Sequence, residues 1–228
     1  MTAPPPTPEP APESAPESAP KSAPKSAQPA ARPRRTGGRV RNADAHTAIL
    51  DATAELLEEV GYASLTMEGI ATRADVAKST IYRWWKSKGV LAMDAYAHVV
   101  AARMPEPDTG SLRGDLVGFV RELYRVGKYP LRVRTLQGLM AEAQLDASFA
   151  PLFQEWTGQR RAVVRAMFAR AVARGELAAT TDIDHAVDVI FGVFWYRLLL
   201  GHEHLKPSEA EVHVDRLLDG IRGAEGRG

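Results

Sequence analysis

The sequence predicts an all-α protein, and three observations carry that expectation. Apolar residues recur at helical spacing in each stretch that can bury anything. No run shows the strict alternation of a half-buried strand, and Val, Ile and Thr do not cluster between turns. Residues 66–85, TMEGIATRADVAKSTIYRWW, read as two short helices meeting at a tight turn. A length of 228 residues is enough for two helical domains with real cores, even after a non-folding tail is set aside.

That tail is residues 1–31, where Ala-Pro repeats with Glu, Ser and Lys. Proline removes backbone donors and almost nothing is larger than Ala, so an extended, polyproline-like disordered segment is expected, serving as a solubilising leader. It lacks the apolar stretch of a secretion signal. Arg32 to Arg41 then concentrate positive charge, and Arg34, Arg35, Arg39 and Arg41 form a basic arm of the kind that can reach phosphates or a minor groove. With Lys+Arg 29 against Asp+Glu 28, the formal net charge is +1, so DNA affinity has to come from local placement of charge. The absence of Cys excludes disulfides and thiolate metal sites and fits a reducing, cytoplasmic location.

The first helix is expected to open at Asp44 and to carry Ile49, Ala52, Leu56 and Val60 inward until Gly61 stops it. The next opens at Thr66, whose hydroxyl can cap the first turn, with Glu68 at the positive end of the helix dipole and Ile70 and Ala71 inside. The turn falls at Ala74-Asp75-Val76, with Asp75 standing where a left-handed residue is wanted. From about Ala77 to Trp85 the second helix sends Ile81 and Trp84 or Trp85 inward and leaves Lys78, Ser79, Thr80, Tyr82 and Arg83 outside, a set able to bond phosphates and base edges. Ser87 can cap a fourth helix with Val90, Leu91, Tyr96 and Val99 apolar and Lys86 and Lys88 at its start. Pro105 and Pro107 break the chain there.

Leu65-Thr66 through Ile81-Tyr82, followed by Trp85-Lys86-Ser87-Lys88 and Leu91, resembles the DNA-binding domain of the TetR family of one-component repressors over about residues 43–103. Two positions depart from the family pattern: Asp75, where Gly is common, and Ala77, where Ser commonly caps the recognition helix. The resemblance implies a three-helix DNA-binding domain with a helix-turn-helix, followed by a larger C-terminal helical domain for ligand binding and dimerisation. The expected division is a tail and arm at 1–42, the DNA-binding domain at 43–103 and the C-terminal domain at 110–223. Lys78, Ser79, Thr80 and Arg83 are expected to make base-edge or mixed contacts, and Thr66, Tyr82, Lys86 and Lys88 to grip phosphates of double-stranded DNA.

Beyond the break, Leu116, Phe119, Val120 and Leu123 keep the helical spacing, as do Val133, Leu136 and Met140 after Pro130. Residues 146–156 are expected to form a short turn or helix ahead of a separate helix bearing Val164, Met167, Phe168 and Ala171. Residues 183–200, IDHAVDVIFGVFWYRLLL, are apolar on nearly every face and so need cover on several sides, yet with Asp188 and Arg197 they fall short of a membrane span. A last helix carries Val214, Leu217, Leu218 and Ile221. By resemblance, these last two helices pair with their copies in a homodimer.

The resemblance also implies a small-molecule effector in the C-terminal helices. Tyr96, Met140, Phe149, Trp156, Phe168, Phe194, Trp195 and Tyr196 are the candidate lining, although filling a core explains each as well, and Arg165 or Arg197 could face an anionic group. Enzyme chemistry finds no support: His202-Glu203-His204 lacks metal-ligand spacing, Gly127-Lys128 lacks a phosphate loop, and no nucleophile elbow is present, so no catalytic residue, metal or cofactor is expected. A homodimeric, ligand-responsive repressor on a near-palindromic operator is the leading expectation. The alternative is a ligand-binding helical adaptor with a degenerate DNA-binding motif.

Overall fold

The structure, a computed structural model, describes residues 37–101 and 106–225, with side chains for 43–99 and 106–223. The helices among these residues are α1 (Gly37–Glu59), α2 (Gly61–Ser64), α3 (Met67–Arg73), α4 (Lys78–Trp84), α5 (Lys88–Ala101), α6 (Leu112–Tyr124), α7 (Pro130–Leu145), α8 (Ala150–Ala173), α9 (Ile183–Leu200) and α10 (Ala210–Glu225). Single 3-10 turns precede α7 and α10, and no strand occurs among the described residues. The all-α expectation holds. The tail, with Arg34 and Arg35, lies outside the described residues.

Local signals place the N-terminal helices. Thr66 Oγ1 accepts the Gly69 N–H at 3.1 Å and so caps α3, while Asp75 adopts φ +52° and turns the chain toward α4. Ser87 Oγ takes the Val90 N–H at 3.3 Å at the start of α5. One boundary differs from expectation. Helix α1 starts at Gly37, so Asp44 lies inside it and the segment carrying Arg39 and Arg41 is helical backbone rather than an arm. The last proline before this helix is Pro33, and nothing in residues 37–43 forbids helical dihedrals.

Residues 146–156 do not form a separate element either. Asp146 Oδ1 accepts the Ser148 N–H at 2.8 Å in a turn, and α8 then runs unbroken for 24 residues. Pro151 sits in its first turn, where a missing N–H removes no helical hydrogen bond.

Two buried clusters organise the fold. One joins α6, α8, α9 and α10 around Leu116, Phe119, Phe168, Val187 and Phe194. The other joins α1 to α5 around Ile49, Ile70, Ile81, Trp85 and Leu91, and also takes Leu139, Ala143, Phe149 and Phe153 from beyond the proline break. Trp156 and Trp195 pack against both. Helix α7 is therefore the joint of the molecule, seated on α1, α2 and α5. At Gly138 a Cβ would stand 2.3 Å from the Tyr62 ring, so a side chain there would push α2 away.

The connection into α6 is held by charge. Buried Asp115 accepts the Thr109 N–H at 2.6 Å and Oγ1 at 2.8 Å, and Arg170 of α8 donates to its Oδ2 at 3.2 Å and to the Pro107 carbonyl at 2.6 Å. Helix α9 buries Ala186, Val187, Ile190, Phe191, Phe194 and Leu198. Its opposite side is open within a single chain, where Val189, Tyr196, Leu199 and Leu200 are exposed.

Candidate nucleic-acid interface and ligand cavity

Helix α4 has two sides of opposite character. Ile81 is 0% exposed and Trp85, just after the helix, is 2% exposed. Trp85 donates from Nε1 to Asp94 Oδ2 at 2.7 Å, while His46 of α1 stacks against Trp85 at 4.7 Å and meets Trp84 edge-on at 5.3 Å. The pair of tryptophans thus locks α4 to α1 and α5, with Trp85 as the fully buried member. On the other side Lys78, Ser79, Tyr82 and Arg83 are exposed and Thr80 is half-buried. Thr66 and Lys86 flank this surface and are exposed as well.

Existing partners tune what these side chains can do. Lys78 pairs with Glu68 of α3, a hydrogen bond that raises the Lys78 pKa, and lies 5.8 Å from the Tyr82 ring centroid. The pair is exposed, so a phosphate can displace Glu68 at little cost. Arg83 lies over the Trp84 ring at 4.9 Å, which directs the guanidinium along the helix end. Half-buried Lys88 donates to the Tyr62 carbonyl at 3.2 Å and covers the Tyr62 ring at 4.4 Å, tying α5 to α2. Arg73 secures α3 to α1 through Glu55 at 3.1 Å and Glu59 at 2.7 Å, and its hydrogen bond to Glu59 is the larger cause of its raised pKa. Ala77 begins α4 in extended backbone with no side-chain cap. Arg39 and Arg41 lie on α1, with side chains outside the described ones.

Residues of α5 to α9 and of the turn after α6 line a half-open cavity of about 400 Å³. Tyr96, Met140, Trp156, Phe194 and Trp195 line it, as the sequence suggested, together with Leu123, Val126, Leu136, Phe153 and Phe191. Three expected residues are elsewhere. Phe149 is buried in the N-terminal cluster, Phe168 in the C-terminal one, and Tyr196 points outward at 60% exposure. Helix rotation decides this, since Tyr196 adjoins Trp195 but lies about 100° further round the axis. Arg165 and Arg197 are occupied by Asp184 and Glu209 and do not reach the cavity.

The cavity's own charges were not anticipated. Arg125, Arg132, Arg160 and Arg161 all contribute to its wall, against Glu122 as the lone carboxylate among the lining residues. Arg160 follows Trp156 by one helical turn on α8, a relation readable only once α8 is taken as one helix. Arg132 also donates from Nε to Glu58 of α1 at 3.0 Å and covers Tyr129 at 4.3 Å.

On the outer side of the bundle, Val189, Val193 and Tyr196 of α9 and Leu217 and Ile221 of α10 line a groove that continues the exposed stripe of α9. Among the described residues no group of acids and histidines could hold a metal ion, and no helix is long and apolar enough to cross a membrane.

Comparison with known proteins places both halves of the chain. The profile described as bacterial regulatory proteins, tetR family, matches residues 49–93, and that of the tetracyclin repressor-like C-terminal domain matches residues 106–217. An HTH-type transcriptional regulator of Bacillus subtilis, YdeS, is 34% identical over 187 residues, covering 81% of this chain and 93% of the relative. The HTH-type transcriptional repressor KstR of Mycobacterium tuberculosis is 34% identical over 157 residues, covering 66% and 68%. Among solved structures, the TetR family transcription regulator SCO0332 aligns with TM-score 0.70 and 35% identity, over 78% of this chain and 98% of that one.

Proposed function

The chain belongs to the TetR family of bacterial regulatory proteins, and from that premise we propose that it is a ligand-responsive homodimeric repressor acting on a near-palindromic operator. DNA binding and transcription regulation follow from the family, and the reading assigns the chain no enzymatic turnover. The observation that carries the reading is the two-sided α4: Ile81 is fully buried while Lys78, Ser79, Tyr82 and Arg83 stand clear on the opposite face. Asp75 takes the left-handed turn and α4 follows Ala77 even without a side-chain cap, so neither departure removes the helix-turn-helix, whose degeneracy the adaptor alternative requires.

In this reading Lys78, Ser79, Thr80 and Arg83 read or approach base edges, and Thr66, Tyr82 and Lys86 hold phosphates. Lys88 adds charge near the backbone while bracing Tyr62. Arg34, Arg35, Arg39 and Arg41 add phosphate or minor-groove contacts from the N-terminal side. Two copies pair through α9 and α10, which sets the two α4 helices to enter successive major grooves about 34–36 Å apart, or slightly more. A ligand held more tightly by a conformation with another spacing releases the DNA. A protein of this kind works in the cytoplasm, beside its operator.

Selection of genomic fragments by the full chain at near-physiological salt tests this, with a Tyr82→Ala, Arg83→Ala double variant in parallel. A palindromic site recovered by the wild type alone is the expected result. Equal, sequence-blind recovery by both proteins would overturn it.

A further inference from the structure

The cavity wall is chemically lopsided. Its body is aromatic and aliphatic, yet four arginines contribute to it against a single lining carboxylate. Three of the four are already engaged: Arg125 with Glu122 at 2.6 Å, Arg161 with Asp188 at 2.5 Å and Arg132 with Glu58 at 3.0 Å. The guanidinium of Arg160 has no ion pair or hydrogen bond among the described residues. Close by, the Trp156 indole N–H is buried without an acceptor, and the Tyr96 hydroxyl makes no hydrogen bond among the described residues. Burial pushes the Tyr96 phenol up to about 12, with Arg132 and Arg160 pulling the other way, so it remains a neutral donor beside two cations. A donor left unpaired inside a protein costs free energy, and a guanidinium with no protein partner at the edge of an apolar cavity attracts an anion.

We propose that the cavity takes an organic anion with an apolar body, the body seated between Trp156, Phe194 and Trp195 and the acidic group bound by Arg160 with help from Arg132. A planar guanidinium suits carboxylate, sulfonate or phosphate oxygens alike, so the shared chemistry is a negative head on an apolar frame. The aromatic wall and a volume of about 400 Å³ suit a compact ring system or a folded chain. This deepens the reading of the chain as a ligand-responsive regulator and rests on it.

Two fluorescent probes of nearly the same shape separate the possibilities: N-phenyl-1-naphthylamine, which is neutral, and 8-anilino-1-naphthalenesulfonate, which carries the anion. Each is titrated into the full-length dimer and into Arg160→Gln. The wild type is expected to prefer the sulfonate by about tenfold or more, the worth of one charge-assisted hydrogen bond. Arg160→Gln is expected to lose that preference while keeping its affinity for the neutral probe, which shows the chamber intact. Equal affinities in the wild type, or a preference that survives Arg160→Gln, would overturn the anion assignment and leave the ligand-responsive reading standing. Binding of neither probe would remove the chamber as a ligand site and overturn both.

Discussion

Single residues decide how the DNA-reading surface is held and what it touches. Thr66 caps α3 through a hydroxyl, and Ala77 leaves the equivalent place on α4 uncapped. Ala77→Ser should therefore stabilise the protein by about 1 kcal/mol, seen as a higher unfolding midpoint in thermal melts; an unchanged midpoint would mean that no cap forms there. Lys86 is exposed, so a phosphate contact by it rests on charge alone. Lys86→Ala should weaken binding to all sequences alike and lower the salt slope of log affinity by about 1. A slope that does not change would remove Lys86 from the phosphate set. These residues were readable without a fold because capping, the left-handed turn and the alternation of buried and exposed positions on a short helix are all settled within a few neighbours in the chain.

At the scale of elements, the joints between helices matter most. Asp115 is buried on α6 and held by Thr109 and Arg170, and although burial raises its pKa, hydrogen bonds from the Thr109 N–H and hydroxyl and from Arg170 bring it below the usual carboxylate value. A carboxyl with a lowered folded pKa contributes stability that is present above its unfolded value, about 3.9, and is lost as pH falls through the folded one. Asp115→Ala should cost about 2 kcal/mol at pH 7, since it leaves the Thr109 N–H and part of Arg170 unpaired. Denaturant melts of both proteins should show the gap narrowing below about pH 4; a gap constant with pH would detach the loss from the charge. Boundaries were the weak point of the sequence reading at this scale. Helix α1 reached back past Asp44, and α8 ran through Pro151 because proline in a first turn is compatible with a helix.

For the whole molecule, the open side of α9 is the telling feature. Val189, Tyr196 and Leu200 follow one another at intervals close to two helical turns and one, forming an exposed stripe, and Tyr196 and Leu200 are 60% and 61% exposed. Under the proposed pairing through α9 and α10, this stripe is the surface two copies would bury together. Leu200→Glu combined with Tyr196→Asp should convert the dimer into monomers in sedimentation experiments and abolish operator binding, while the far-ultraviolet signal of the helices persists. A variant that stayed dimeric would move the interface elsewhere. Contact between the two halves runs through α7: Tyr62 packs on Gly138, and Arg132 joins the cavity wall to Glu58 on α1.

The sequence by itself determined the all-α class, the helix-turn-helix with its left-handed Asp75 and the amphipathic α4, because each is written in spacings of a few residues. It also supplied five of the cavity's aromatic or Met residues, Tyr96, Met140, Trp156, Phe194 and Trp195, among eight named. Only the tertiary structure decided that Phe149 and Phe168 fill cores, that Tyr196 faces outward and that four arginines line one chamber. Those outcomes depend on how helices rotate and cross over long separations, such as the 74 residues between Glu58 and Arg132, and no local pattern encodes such a meeting.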